Sequence, residues 1–329
     1  MLVTSDTMSY ASSVTVLALL LAGCAPASTT VAQEATPSPV PAGGAAVEAV
    51  ADGFQFTEGP YWRPESGTLL FSDIPANTIY QWHSEADSTS VYRRPSGRSN
   101  GIVAGSIVAG PAEGSLLLAQ HGWRRVARVA PDGRETALAT HYNGQRLNSP
   151  NDVALRSDGT VYFTDPPYGV GAEARELDIA GVYRLPPGAE EPVLITGEFA
   201  RPNGIALSPA GESRLYVNDT RQGLIRAYDV APSGEVSDGE VFARLEDPDA
   251  EGAPDGMTVD ATGRLYSTGP GGLWIFAPGG EQLDRIRLPA RATNVTFGGA
   301  QGQTLFVTTP STVYRVPVDA TGVRWAPAR

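Results

Sequence analysis

Residues 146–169 set the pattern for the whole chain. An apolar run, Val153-Ala154-Leu155, is followed by the polar turn Ser157-Asp158-Gly159-Thr160 and a second apolar run, Val161-Tyr162-Phe163. Two short apolar runs joined by an Asp-Gly turn predict a β-hairpin, because Asp and Gly tolerate the positive φ that tight hairpin turns require. The pair Asn151-Asp152 stands just before the first run and is not needed for the hairpin. The same order of small polar pair, apolar run, turn and apolar run recurs along the chain. The other copies open at Glu58-Gly59, Asn100-Gly101, Asn203-Gly204, Asp255-Gly256 and Asn294-Val295, so that the six starts lie 42, 51, 52, 52 and 39 residues apart. Each copy continues into an alternating strand such as Gly181–Leu185 or Thr312–Val316.

A period of about 40–50 residues with four short strands per unit predicts a β-propeller blade, and six units predict a six-bladed ring. The fold class expected is therefore all-β, a six-bladed β-propeller with four-stranded blades over residues 47–329. The alternative is an open β array or a pair of sandwiches, which would not hold one phase through all six copies. Val47–Phe54 precedes the first copy and is expected to close the ring as the outer strand of the last blade.

The amino terminus breaks the pattern. Ser13–Leu21 is a short apolar run, too short to cross a bilayer, and it ends in Leu21-Ala22-Gly23-Cys24. This resembles a bacterial lipobox, in which the cysteine becomes the lipidated first residue, and Cys24 is the only cysteine in the chain. The leader departs from the usual pattern in carrying Asp6 and no basic residue. Residues 1–23 are read as a lipoprotein signal peptide, and residues 24–46, rich in Ala, Pro, Ser and Thr, as a disordered tether. The expected location is the cell envelope, lipid-anchored on the periplasmic or extracellular side. Ala25, where Asp often marks inner-membrane retention, favours the outer membrane.

Composition narrows the chemistry. The chain has 329 residues, 37 Gly and 27 Pro, a net charge of −12, and no lysine at all. The acidic balance disfavours nucleic acid as a partner, and leaves the lipid anchor as the only expected membrane contact. The absence of lysine excludes a P-loop and a Schiff-base mechanism. Three histidines (His83, His121, His141) and one cysteine cannot build a His/Cys zinc site of the usual spacing.

In a ring, equivalent positions lie on a circle about one axis. Glu58, Asn100, Asn151, Asn203, Asp255 and Asn294 should therefore approach one another at one mouth of the central channel. Each of the Asn and Asp pairs alone is an ordinary turn dipeptide; together they form an oxygen-bearing set, in which Glu58, a poor turn residue, stands out. Carboxylate and amide oxygens suit a hard cation, Ca2+ best, with Mg2+ or Mn2+ also fitting and Zn2+ less so. One motif points elsewhere: Gly97-Arg98-Ser99-Asn100-Gly101 matches G-x-S-x-G. That elbow requires a strand-to-helix turn, and the Ile102-Val103-Ala104-Gly105 that follows predicts no helix.

Taken in order, Phe56-Thr57-Glu58-Gly59-Pro60, Ser99-Asn100-Gly101, His121–Val126, Asn148–Gly169, Pro202-Asn203-Gly204 and Pro254-Asp255-Gly256-Met257 resemble the senescence-marker-protein/gluconolactonase family of regucalcin-like six-bladed propellers. The resemblance covers residues 47–317 and is closer to the bacterial, gluconolactonase-type branch. The animal branch carries Arg two residues before the position of Asn151, where this chain has Ser149, so the identity of the lactone is open. The resemblance implies a lactonase whose metal ligands are Glu58, Asn203 and Asp255, with Asn151 a fourth ligand or a substrate contact. It also implies Asp255 as general base, kept ionised by the neighbouring cation. Asn100, His121 and Tyr168 are candidate substrate contacts; His121 is either that, a proton shuttle, or a residue packed at the rim. Trp123 is a candidate pocket wall, and His83 and His141 are expected at the surface. The expected reaction is hydrolysis of a sugar-type lactone, by a monomer. Three alternatives share the site: another lactone such as an acyl-homoserine lactone, an aryl ester, or a phosphotriester. A non-enzymatic propeller with a structural calcium would satisfy the same residues.

Overall fold

The computed structural model describes residues 1–3, 8, 37–41, 43–105, 114–209 and 211–323. The chain divides into two units, Met1–Ala35 and Thr36–Arg329. Of the first unit only residues 1–3 and 8 are described, so the rest of the expected signal peptide and Cys24 lie outside the described residues.

The second unit is a closed ring of six antiparallel four-stranded blades. Blade 1 is built from Thr57–Arg63, Thr68–Asp73, Thr78–His83 and Ser88–Arg93, and blade 2 from Ser99–Ala104, Leu116–Gln120, Arg125–Val129 and Glu135–Ala139. Blade 3 uses Val153–Leu155, Val161–Asp165, Gly181–Leu185 and Val193–Thr196, and blade 4 Pro202–Leu207, Arg214–Asp219, Leu224–Asp229 and Glu240–Arg244. Blade 5 uses Met257–Val259, Leu265–Gly269, Gly272–Phe276 and Gln282–Arg287. Blade 6 takes Asn294–Gly298, Thr304–Thr308 and Thr312–Pro317 from the carboxy-terminal part of the chain. Its outer strand is Glu48–Asp52, paired antiparallel with Thr312–Pro317 (Glu48 opposite Arg315, Asp52 opposite Thr312). The ring thus closes as the sequence predicts. Each innermost strand touches the innermost strands of both neighbours, blade 6 against blade 1 included.

Burial explains why the strands read as they do. The second strand of each blade has neighbouring blades on both faces, so it is a continuous apolar run such as Leu69-Leu70-Phe71 or Leu116-Leu117-Leu118, fully buried. The fourth strand of blade 1, Ser88–Arg93, faces solvent and is mostly exposed and polar. The core is divided among the blade-to-blade seams: Leu117 and Val126 of blade 2 pack with Phe163 and Tyr183 of blade 3. Leu69, Phe71 and Trp82 of blade 1 pack with Phe306 and Val313 of blade 6. Trp62 stacks on Phe306 across that closing seam, with ring centroids 5.1 Å apart.

The innermost strands approach closely enough to exchange main-chain hydrogen bonds between blades. Gly101 N–H donates to the Asn151 carbonyl (2.9 Å), and Gly204 N–H to that of Asp255 (2.9 Å). Side chains of second strands reinforce this belt: Ser72 Oγ donates to the Asn100 carbonyl (3.0 Å), Thr164 Oγ1 to that of Asn203 (2.7 Å) and Asn218 Nδ2 to that of Asp255 (2.6 Å). The glycines are required by space. A Cβ on Gly204 would lie 2.2 Å from the Asp255 carbonyl oxygen, and one on Gly59 1.9 Å from that of Asn100.

The ordered domain starts upstream of the expected boundary at Val47. Pro37 accepts from Arg264 Nη1 (3.1 Å), Pro39 accepts from Asp319 N–H (2.8 Å), and Ser38 donates to Asp284. Val40, Ala45 and Val47 pack on the seam between blades 5 and 6. The part of the expected tether from Pro37 onward is therefore a strap on the propeller.

Gly59→Ala should destabilise more than Gly133→Ala in urea unfolding. Both glycines have positive φ (52° and 84°), but nothing lies within 4 Å of a Cβ at Gly133. Gly133→Ala should cost about 1–2 kcal/mol of left-handed strain. Gly59→Ala adds a collision with a backbone that cannot give way, for at least about 2 kcal/mol more. Equal costs would mean that the inner belt yields.

Candidate active site at the mouth of the channel

The six predicted positions all stand at the same end of the innermost strands. Glu58, Asn100, Asn151, Asn203 and Asn294 are buried, and Asp255 is half-buried. Glu58 is the hub. Asn294 Nδ2 donates to its Oε2 (3.0 Å), Gly59 N–H donates to the same oxygen (3.1 Å), and its carboxyl shares a hydrogen bond with that of Asp255. Blades 1, 5 and 6 therefore meet through side chains. Asn294 is committed to Glu58 and to Val295 N–H (2.8 Å), which makes it a support for the site. Asn151 is fixed by its backbone, with N–H to the Thr164 carbonyl (2.9 Å) and its own carbonyl accepting from Gly101.

Burial and like charge dominate the electrostatics. Desolvation pushes the Glu58 carboxyl up to about 7, against the hydrogen bonds from Asn294 and Gly59. Asp255 is pushed well above the usual carboxylate range, first by burial and then by the Glu58 charge. The protein by itself thus holds Asp255 toward its protonated form, and the ionised state that the sequence reading expects needs an added positive charge. A third carboxylate, Asp152, is raised to about 7 by burial and feels the Glu58 charge. Its Oδ1 accepts from Val153 N–H (2.9 Å) and its Oδ2 from Ile205 N–H of blade 4 (3.3 Å). Asp152 is the residue that sequence reasoning passed over. The signal was there: in blades 1, 2, 4 and 5 the position after the site residue is glycine, and in blade 3 it is an acid. Blades 1, 3 and 5 thus each bring one carboxylate to the axis.

The amides are oriented. Asn203 Nδ2 donates to Thr220 Oγ1 (2.9 Å), which donates to the Pro254 carbonyl (2.8 Å), leaving the Asn203 side-chain oxygen as the available acceptor. Burial raises the pKa of the Tyr168 hydroxyl, nearby Thr220 and Asn203 offset part of that rise, and the side chain is exposed. His121 is buried, and burial lowers its pKa to about 4, so the imidazole is neutral at ordinary pH. Its Nε2 faces Asn100 Nδ2 at 3.4 Å, the geometry of an accepting ring nitrogen.

This donor set suits a cation. Among the described residues none of the three axial carboxylates is paired with an arginine within 4 Å, and Asn100 Oδ1 is buried without a partner. No three His, Cys, Asp or Glu side chains among the described residues form a metal cluster, so a cation here would need both carboxylate and amide oxygens. Glu58, Asp255, Asn203 and Asn151 fit such a set for a hard divalent ion.

Other candidates separate from the site. Ser99 lies on an innermost strand, with its Oγ 2.9 Å from Ser72 Oγ, and not on a nucleophile elbow. Trp123 stacks under Arg125 (4.7 Å) at the surface. His141 is exposed, and His83 is half-buried with Nε2 near Ser90 Oγ (3.3 Å).

Comparison with known proteins gives the family of the whole propeller. The profile of the SMP-30/Gluconolactonase/LRE-like region matches residues 56–311. The chain is 35% identical over 296 residues to a gluconolactonase of Zymomonas mobilis, covering 84% of this chain and 82% of that one. It is 31% identical over 265 residues to a pentonolactonase of Haloferax volcanii, covering 77% and 80%. Among solved structures, a Xanthomonas campestris gluconolactonase superposes with a TM-score of 0.73 at 33% identity, covering 84% of this chain and 90% of that one.

Each axial carboxyl binds its proton more tightly when folded than when unfolded. The folded state therefore holds extra protons between about pH 4.5 and about 7, and metal-free protein should lose stability as pH rises through that window. Thermal unfolding in EDTA should give a higher Tm at about pH 5 than at about pH 8, and excess Ca2+ should raise the Tm most at the higher pH. A metal-free Tm that is flat or rising would contradict the placement of these carboxyls.

Proposed function

Since the chain belongs to the SMP-30/gluconolactonase/LRE-like family, we propose that it is a lactonase that hydrolyses a sugar-type lactone at the channel mouth with the help of a divalent cation, Ca2+ being the best fit. The observation that carries the reading is the Glu58–Asp255 carboxyl pair, buried beside amide oxygens at the axis. A bound cation would supply Lewis-acid polarisation of the lactone carbonyl, and Glu58, Asn203, Asp255 and Asn151 are the residues to hold it.

The chain's own groups account for the rest of the reaction. Asp255 is the general base: an oxygen not shared with Glu58 or a cation takes the proton of the attacking water as the water oxygen adds to the carbonyl carbon. Collapse breaks the ring ester bond, and the proton passes to the departing ring oxygen to give a hydroxy acid. Asn294 and Gly59 hold the Glu58 carboxylate still. Thr220 holds Asn203 by its nitrogen so that its oxygen faces the reacting end. Neutral His121 positions Asn100 and offers substrate a hydrogen-bonding partner, not a charge. Tyr168 stands at the rim as a further contact. A calcium that only braces the ring, held by the same carboxylate and amide oxygens, is the competing reading.

We further propose, on the sequence of the leader, that Cys24 carries lipid and holds a monomeric propeller at the cell envelope. Cys24→Ser should abolish labelling by a fatty acid and release the protein from membranes.

Hydrolysis of glucono-1,5-lactone by the full chain should be abolished by EDTA and restored by one added divalent metal. Asp255→Asn should lower kcat/KM by at least about a hundred-fold, and Ser99→Ala should leave it within about three-fold, the size of losing one neutral hydrogen bond away from the reacting atoms. A metal-depleted protein that keeps full activity would overturn the cation's role. One that retains a metal-dependent Tm but turns over no lactone or ester would favour the structural calcium.

A further inference from the structure

Positive charge is distributed around the mouth in a second alternating pattern. Arg98 and Arg201 stand two residues before Asn100 and Asn203, and Arg291 three residues before Asn294. They therefore lie at the mouth ends of the innermost strands of blades 2, 4 and 6. The residues two before the site residue in blades 1, 3 and 5, Phe56, Ser149 and Ala253, are uncharged, as is Ala292 of blade 6, where the arginine stands one residue earlier. Among the described residues none of these three arginines is in an ion pair, which is equally true of Arg63, Arg94 and Arg128. What sets them apart in a chain of net charge −12 is their place at the mouth ends of inner strands.

Two of them are held in place by aromatic rings of the site. The Arg201 guanidinium lies 5.2 Å from the centre of the Tyr168 ring, and Arg291 lies 5.5 Å from that of Phe56. Tyr168 lies near Asn203 and Thr220, and Phe56 is two residues from Glu58. A guanidinium stacked on a ring keeps its N–H edge free, and that fork matches the oxygens of a carboxylate or a phosphate. The charge of Arg291 is also felt by both Glu58 and Asp255. The carboxylate made by ring opening forms at the deep oxygen set, whereas the arginines stand at the rim.

We infer that the substrate is an anionic lactone, whose sugar chain carries a carboxylate or phosphate away from the ester ring, received at the rim by the ring-held guanidiniums of Arg201 and Arg291. This rests on the lactonase reading and narrows its substrate class.

The test compares the full chain with Arg201→Gln and Arg291→Gln on three lactones: neutral glucono-1,5-lactone, a monolactone of glucaric acid, and 6-phosphoglucono-1,5-lactone. At low salt, kcat/KM for one of the charged lactones should exceed that of the neutral one by about ten-fold or more. Each variant should raise KM for that lactone by about ten-fold with little change in kcat, a penalty at least about five-fold larger than on the neutral lactone, and added salt should erode the preference. Which charged lactone responds tells carboxylate from phosphate. Equal penalties on neutral and charged lactones, or a preference for the neutral one, would overturn the inference while leaving the lactonase reading standing. Calorimetry with gluconate, glucarate and 6-phosphogluconate is independent of turnover. Tighter binding of a doubly charged acid, lost in the variants, supports the anion site even if no lactone is hydrolysed, in which case it is the lactonase reading that fails. No such difference overturns the inference.

Discussion

The closest constraint in the molecule is the approach of the six innermost strands to the axis. Main-chain groups of one blade bond those of the next there, as Gly101 to Asn151 and Gly204 to Asp255. Polypeptide backbones can come that close only where a side chain is missing, which is why the residue after each polar position is so often glycine. The polar residue itself is then fixed by its own carbonyl, which serves its neighbour. Its side chain has only the axis left to occupy. The convergence of acids and amides is thus a by-product of how the ring is held shut.

That convergence is costly to the fold. Glu58, Asp152 and Asp255 are like charges in a desolvated place, and hydrogen bonds from Asn294, Gly59, Val153 and Ile205 offset only part of the cost. An arrangement that burial alone would reject is sustained by the packing of large seams such as Leu69, Phe71, Trp82 and Phe306 around it. Much of this electrostatic strain falls where a cation and a reacting ester are proposed to sit.

Much of this was legible in the sequence because it repeats. The hairpin pattern, its period and its phase are sufficient for six blades and for the ring-closing strand near Val47. They also bring Glu58, Asn203 and Asp255 together. What was not legible lacks periodicity. The strap before Val47 docks through backbone carbonyls of Pro37 and Pro39 and a few small apolar residues, which look like any linker. Asn294 reads as a sixth equivalent of the set, yet its amide is spent on Glu58. Asp152 was hidden by its adjacency to Asn151, although it breaks the glycine rule. Arg201 and Arg291 have meaning only once the ring sets their strands on alternate blades and the aromatic rings beneath them are known.

The last blade takes its outer strand from Glu48–Asp52 and its other three from Asn294–Pro317. Glu48 and Arg315, 267 residues apart, form an ion pair across this junction. The same junction separates Glu58 from Asn294 and Asp255, so the carboxyl pair does not exist in an open array of otherwise well-formed blades. Folding to completion and acquiring the active constellation are one event, reached only after the final strand is available. A partly assembled chain, however well its individual sheets are made, is chemically silent, and the appearance of activity during refolding would report the closing of the circle.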